Sequence, residues 1–326
     1  MVRRRRHRHE RSHGGRAVVE LLKAEQVRYI FGIVGATFLD VLDALYDDKA
    51  VEYINCRHEQ GSAFMADGLA RVTGTPGVCL VTSGPGATNL LTGVAAAHVA
   101  HSPVVVLVGG ISSEHSDKDA FQEFDLVSMF RPVTKMAVKV TRADRIPEML
   151  HAALRLAMTG AAGPVFLEIP ATCSTTACRR RRRQSRAAIG PPMHRPPTPR
   201  PSAQAAHLVR HAERPLLLVG GGANWAGAAD AVVRLCDQGA IPMITAYGRN
   251  DAVPNSHPLY IGPSGAPALP RPPPRAAGRI CCSSSARASA SSRPTSTIAI
   301  SGRGSPSCRS TSTAAISGGT TPSRSA

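Results

Sequence analysis

The stretch Val51-Glu52-Tyr53-Ile54-Asn55-Cys56-Arg57-His58-Glu59-Gln60-Gly61-Ser62-Ala63-Phe64-Met65-Ala66-Asp67-Gly68-Leu69-Ala70-Arg71 decides the fold. Its first five residues form a short apolar run that reads as a strand. From about Glu59 it becomes a helix dense in small residues. Ala63, Ala66, Gly68 and Ala70 carry little side chain, so a second element is expected to pack closely on this helix. Glu59 falls on the turn between the two. An acid at the end of a parallel strand stands where open α/β sheets place ligand chemistry. The same acid also suits the first turn of a helix, solvated or capping, because the helix dipole favours a negative charge there.

Upstream, Ala17 to Glu25 has a helical apolar face of Val18, Leu21 and Leu22. Tyr29 to Val34 reads as a buried strand, Gly35-Ala36-Thr37 as a tight turn, and Phe38 to Tyr46 as a helix. Downstream, Thr73 to Gly77 is a loop. Val78 to Thr82 has the continuous apolar character of a strand buried on both faces. Ser83-Gly84-Pro85-Gly86-Ala87-Thr88-Asn89 reads as a turn leading into a helix over Leu90 to Val99. Pro103 to Val108 is another buried strand, residues 111–130 are polar and loop-like, Asp144 to Met158 is an amphipathic helix, and Pro164 to Pro170 is a final strand. Strands alternating with helices predict an α/β fold, with a parallel sheet covered by helices on both faces.

A second α/β unit begins near Pro201, with a helix over Ala205 to His211, a strand over Leu216 to Val219 and the turn Gly220-Gly221-Gly222-Ala223. A helix over Ala226 to Gln238 and a strand over Ile241 to Thr245 complete it. This unit reads as incomplete, with two clear strands before the pattern fails.

At 326 residues the chain has room for about two domains. Its formal charge of +17 suggests nucleic acid until it is located. Residues 1–16 carry +6, residues 171–200 carry +8 and residues 266–326 carry +8. Residues 17–170 carry −5, and residues 201–265 are neutral. The excess therefore lies in flanks too poor in large apolar residues to form a core. A nucleic-acid-binding protein using these Arg clusters is one alternative reading, and a non-catalytic scaffold is another. Charge segregated from the foldable parts, with no interleaved aromatics, speaks against the first.

Residues 171–200 read as an Arg/Pro-rich linker and residues 266–326 as a disordered basic tail. In GC-rich coding sequence a shifted frame yields Arg, Pro, Ala, Ser and Gly with few acids. Residues 1–13, about 171–187 and about 266–326 have that composition and are expected to be frame-shift products around a genuine core.

None of the eight cysteines forms a C-x-x-C pair, so buried free thiols are expected. His98 and His101 lack a third ligand and read as surface residues; no metal site is expected. The N-terminal Arg run has no apolar h-region, and no apolar run is long enough to span a bilayer. A reduced, cytoplasmic protein with no membrane partner is the expectation.

Gly84-x-Gly86 and Gly220-Gly221-Gly222 each follow a strand, but neither completes G-x-G-x-x-G. A larger set is more specific. Arg57-His58-Glu59, Met65-Ala66-Asp67-Gly68 with Ala70-Arg71, Thr82 to Asn89, Asp119-Ala120-Phe121-Gln122-Glu123 and Gly163-Pro164-Val165 together resemble the pyrimidine-binding domain of thiamine-diphosphate enzymes, and among these the acetolactate synthase group. The resemblance covers residues 15–170. Residues 201–262 are similar to the start of that family's central domain, through Gly248-Arg249, His257-Pro258 and Gly262.

The resemblance implies a domain order. Residues 1–14 are a basic disordered arm, 15–172 the pyrimidine-binding domain, 173–200 a linker, 201–265 a partial central domain and 266–326 the tail. It implies thiamine diphosphate as cofactor and condensation of 2-oxo acids through the C2 carbanion of thiamine. Glu59 becomes the carboxylate on the pyrimidine ring nitrogen that favours the imino tautomer acting as base. Gly35, Pro85, Gly86 and Asn89 line the pyrimidine pocket, and Gln122 reaches the substrate side. The resemblance also implies branched-chain amino acid biosynthesis, a homodimer or tetramer formed through the pyrimidine-binding domain, and FAD as a structural cofactor in the central domain.

Two departures stand out. Val34-Gly35-Ala36 replaces a Pro-Gly-Gly turn, which leaves a sulfoacetaldehyde acetyltransferase or a 2-oxo acid decarboxylase as alternatives. The Gly-Asp-Gly segment leading to an Asn, which binds the diphosphate through Mg²⁺ in a third domain, does not occur in this sequence. An inactive fragment holding half of a thiamine site is therefore expected.

Overall fold

The computed structural model describes residues 11–179 and 199–265. These fall into two compact units, one within Met1–Met193 and one within His194–Ala326.

The first unit begins with β1 (Arg11–His13) and α1 (Gly14–Ala24). The alternation then runs β2 (Tyr29–Gly32), α2 (Leu39–Asp47), β3 (Glu52–Asn55), α3 (Glu59–Thr73), β4 (Gly77–Thr82), α4 (Pro85–Val99) and β5 (Val104–Gly110). It continues through α5 (Leu126–Phe130), β6 (Ala137–Lys139), α6 (Ile146–Met158), β7 (Val165–Pro170), α7 (Ala171–Thr175) and β8 (Ala177–Arg179). Six strands form one sheet in the order β3-β2-β4-β5-β7-β6, with every pairing parallel. The expected α/β fold is the one observed.

Alternation along the central strands explains why they are apolar throughout. Val78, Leu80, Val105, Leu107, Val165 and Leu167 face a core with Val18, Leu22, Val41, Leu150 and Leu154 from α1, α2 and α6. Cys79, Val81, Val104, Val106, Val108 and Phe166 face the opposite core, with Ala63, Ala66, Leu90 and Val94 from α3 and α4. Each Val or Leu on these strands, wholly removed from water, contributes about 1.5–3 kcal/mol.

The small residues of α3 separate into two groups. Ala63 and Ala66 meet α4 and β4; a Cβ on Gly93 of α4 would lie 2.5 Å from the Cβ of Ala63. Gly61 and Gly68 face open space, so the expectation of close packing is corrected at Gly68.

Several segments differ from their sequence reading. Ser83 to Asn89 is not a seven-residue turn. The chain reverses at Gly84, with φ 59°, and α4 starts at Pro85, because proline at N1 lacks only a donor that a helix leaves unused. Within the polar stretch 111–130, α5 forms around the buried Leu126 and Phe130, the latter stacked on Phe166. The edge strand β6 was too short to be read. Residues 171–179 are not all linker: α7 buries Cys173, and β8 pairs antiparallel with β1, Arg11 opposite Arg179. That pairing also gives Arg11 to His13 a regular backbone where only a disordered arm was expected.

The second unit holds α8 (Pro199–His211), β9 (Leu217–Val219), α9 (Gly221–Trp225), α10 (Ala229–Gly239), β10 (Met243–Thr245) and β11 (Tyr260–Pro263). Its sheet order is β11-β10-β9, all parallel, around Leu217, Val219, Cys236, Ile241, Met243 and Tyr260. The expectation of two strands is corrected to three; Gly262 and Pro263 broke the apolar pattern of β11. The glycine run 220–222 is not a plain turn, because α9 starts at Gly221. The readings of residues 1–10, 180–198 and 266–326 lie outside the described residues.

Candidate functional site

The site lies at the carboxyl ends of β2, β3 and β4. After β3, Cys56 donates its amide to the Gly32 carbonyl at 2.8 Å, and the chain turns through Arg57 into α3. His58, not Glu59, caps α3: its Nδ1 accepts the Gln60 amide at 3.2 Å. The Glu59 carboxylate is thus left for another partner. Asn89, one turn into α4, donates Nδ2 to Glu59 Oε2 at 2.9 Å. Glu59 is half-buried and Asn89 exposed, so the pair opens toward solvent.

Of the other residues expected to line a ligand, Gly86 lies beside this pair and Gly35 reaches it through Thr82. A Cβ on Gly86 would lie 3.4 Å from Glu59 Oε1 and 2.7 Å from Thr82 Cγ2. A Cβ on Gly35 would lie 2.5 Å from Thr82 Cβ. Thr82, at the end of β4, therefore links the Gly35 turn to the Gly86 turn, and its hydroxyl lies 3.0 Å from that of Thr37. Thr82 was quoted in the motif but given no part; its signal is its place as the last strand residue before a glycine turn. Pro85 is exposed at the start of α4.

Gln122 arrives from the polar loop after β5. Its backbone is left-handed, with φ 64°, and a Cβ on Gly84 would lie 2.8 Å from Gln122 Cβ. The structure thus seats Gln122 against the same glycine turn that opens α4. Behind the turn, Asp67 and Arg71 form a two-pronged ion pair on α3, with contacts of 2.9 and 2.6 Å. Tyr53 donates to the Leu80 carbonyl at 2.9 Å, and burial pushes its phenol up, with Cys56, Cys79 and Glu59 adding to the shift.

His98 and His101 do not both lie at the surface. His101 is exposed, but His98 is half-buried with its Nδ1 enclosed. Among the described residues no group of three or more His, Cys, Asp or Glu could hold a metal ion. Among the described residues, too, no helix is long and apolar enough to cross a membrane.

The comparison that decides the family matches residues 12–129 to the thiamine pyrophosphate enzyme N-terminal TPP binding domain. Residues 202–271 match the thiamine pyrophosphate enzyme central domain. The chain belongs to the thiamine pyrophosphate enzymes. It is 39% identical over 255 residues to the probable acetolactate synthase large subunit of Methanocaldococcus jannaschii, covering 77% of this chain and 43% of that protein. It is 38% identical over 264 residues to the acetolactate synthase large subunit of Corynebacterium glutamicum, covering 78% of this chain and 41% of that one. For the acetolactate synthase isozyme 1 large subunit of Escherichia coli the identity is 33% over 253 residues, covering 77% and 44%. The chain spans less than half the length of these relatives.

The donor set suits the pyrimidine end of thiamine pyrophosphate. A carboxylate can hold a proton shared with a ring nitrogen. The bare Cα of Gly86 lets Thr82 and the Glu59 carboxylate approach the start of α4 closely.

Proposed function

We propose that residues 15–172 form the pyrimidine-binding domain, and residues 201–265 part of the central domain, of an acetolactate synthase-like carboligase that joins 2-oxo acids in branched-chain amino acid biosynthesis. The observation that carries this reading is the Glu59 carboxylate, freed from capping by His58 and oriented by Asn89 beside Gly86. Thiamine diphosphate, when bound, supplies the carbanion chemistry for joining 2-oxo acids.

In this reading Glu59 is a catalytic residue that holds the proton shared with a pyrimidine ring nitrogen. Asn89 fixes the carboxylate rotamer by donating to Oε2, leaving Oε1 on the side of Gly86. Gly35, Pro85 and Gly86 shape the pocket for the ring. Gln122 is the residue on the substrate side. Mg²⁺ and the diphosphate are assigned to a further domain, and FAD to the central domain, which carries the glycine run 220–222.

A second copy of the chain is the expected partner. Phe64, Met65 and Val72 on α3 and Val99 on α4 are 43%, 40%, 88% and 80% exposed, and a dimer would cover them. A cytoplasmic location accompanies this reading.

The test is a chimera in which residues 11–265 replace the matching segment of the Corynebacterium glutamicum relative. Acetolactate formation from pyruvate, lost in Glu59→Gln with thiamine diphosphate still bound, is the expected result. A chimera that folds and binds the cofactor, yet keeps full activity as Glu59→Gln, would overturn the reading.

A further inference from the structure

Lys139 and Glu168 stand outside every role given above. They are register partners on the edge strand β6 and its neighbour β7, with Lys139 Nζ 3.3 Å from Glu168 Oε1. The Glu168 side chain is 6% exposed and that of Lys139 35%. The carboxylate lies over the end of β5, where a Cβ on Gly110 would come within 2.5 Å of Oε1. A buried pair of this kind contributes little net stability, because desolvation opposes the attraction. Its placement is more informative: the pair lines a recess with Ser83, Gln122, Glu123 and Phe124.

The loop on the other side of that recess is held by little apolar burial. Phe121 is 88% and Phe124 56% exposed. Asp117, Asp119 and Gln122 all adopt left-handed backbone, with φ of 62°, 53° and 64°. Such residues persist only where surrounding contacts over-determine them. Glu123 supplies one set of contacts, accepting the amides of Asp117 at 2.7 Å and Ala120 at 2.9 Å. Those amides lower the Glu123 carboxyl, and Lys139 adds to the effect. Asp125 is lowered chiefly by Ser128, with Arg131 and Lys139 contributing. Burial pushes Glu168 up, against the pull of Lys139. Lys139 thus pulls directly on Glu168 and adds a smaller pull on Glu123 and Asp125.

We propose that the Lys139–Glu168 pair is a positioning device that holds the Asp117–Asp125 loop, and with it Gln122, against the end of the sheet. Lys139 faces the Glu123 carboxylate that closes the loop across the shared recess, and Glu168 fixes the direction of the lysine. The recess is walled on its far side by Ser83, at the start of the glycine turn on which Gln122 rests. That the held residue serves substrate rests on the function proposed above; the holding itself does not.

The test is hydrogen exchange followed by mass spectrometry on the intact chain, without cofactor. Lys139→Met should speed exchange in peptides spanning residues 112–125 by about tenfold or more, as expected when a local opening unit loses a wall of the recess it packs on. Peptides of α4 and β5 should be unchanged, and Lys139→Arg should restore protection. Unchanged exchange in 112–125, or acceleration spread over the whole sheet, would overturn the proposal. If Lys139→Met fails to fold, Glu168→Gln removes the directing charge and should produce the same local acceleration; no local change would again refute it. Thiamine diphosphate is absent from this measurement, so failure of the cofactor reading leaves its result intact.

Discussion

Asn89 donates Nδ2 to Glu59 Oε2 at 2.9 Å, joining the start of α3 to the second turn of α4 across thirty residues of sequence. Neither helix needs this bond for its own ends: α3 is capped by His58 and α4 begins on proline. Asn89→Ala should therefore change stability by less than about 0.5 kcal/mol. In the chimera it should weaken thiamine diphosphate binding by roughly tenfold, because the Glu59 carboxylate loses the partner that orients it. Thermal melts and cofactor titration together check this; a large fall in melting temperature would contradict it.

Gly93 and Gly68 make opposite predictions on packed neighbouring helices. Gly93→Ala places a methyl 2.5 Å from Ala63 Cβ and should destabilise by about 1–3 kcal/mol. Gly68→Ala meets nothing and should stabilise α3 by about 0.5–1 kcal/mol. Urea titrations of the two variants should move the midpoint in opposite directions.

Acid should loosen the loop that bears Gln122. The Glu123 carboxyl is lowered by the amides of Ala120 and Asp117, so its contribution is present above the ordinary glutamate value of about 4.3. It is lost as pH falls through the lower folded value. Protection of the Asp117 and Ala120 amides should hold at pH 6 and disappear in that acid range, after allowance for intrinsic exchange. Glu123→Gln should show weak protection at both pH values.

Glu168 has the opposite sign. Burial raises its carboxyl, so its relative contribution is present below the unfolded value and is lost as pH rises through the folded value. Glu168→Gln should flatten the stability profile above the ordinary glutamate value of about 4.3, as read by urea midpoints at each pH.

Cys79, Cys173 and Cys236 are buried, and burial pushes each thiol up. Iodoacetamide at pH 8 should leave Cys79 unlabelled in the native chain and modify it in urea, since only the thiolate reacts. Peptide mapping reads the difference.

The reading of the chain succeeded where side-chain burial is two-sided. Val78 to Val81 and Val104 to Val108 are apolar at every position because each face of their strands meets a helix layer. It failed where an element is too short to carry a period. The three residues Ala137 to Lys139 form a strand only because Phe166 and Glu168 stand beside them in register. Glu59 was legible as an acid on a strand–helix turn, but capping and ligand roles looked alike. The structure gives the cap to the His58 ring and the Glu59 carboxylate to Asn89. Lys139 and Glu168 carried no sequence signal as a pair, because a twenty-nine-residue separation has no period to betray it.

Composition and alternation by themselves determined a parallel α/β unit, its strand-end glycine turns and the segregation of charge into the flanks. These are local properties, fixed by which residues tolerate burial and which free the backbone to turn. Only the tertiary structure decided which partner each polar group takes. The strand order β3-β2-β4-β5-β7-β6 brings Thr82 between Gly35 and Gly86, Asn89 to Glu59, and Lys139 to Glu168. Hydrogen bonds and ion pairs act over about 3 Å, and no pattern along a chain specifies which distant residues will meet at that range.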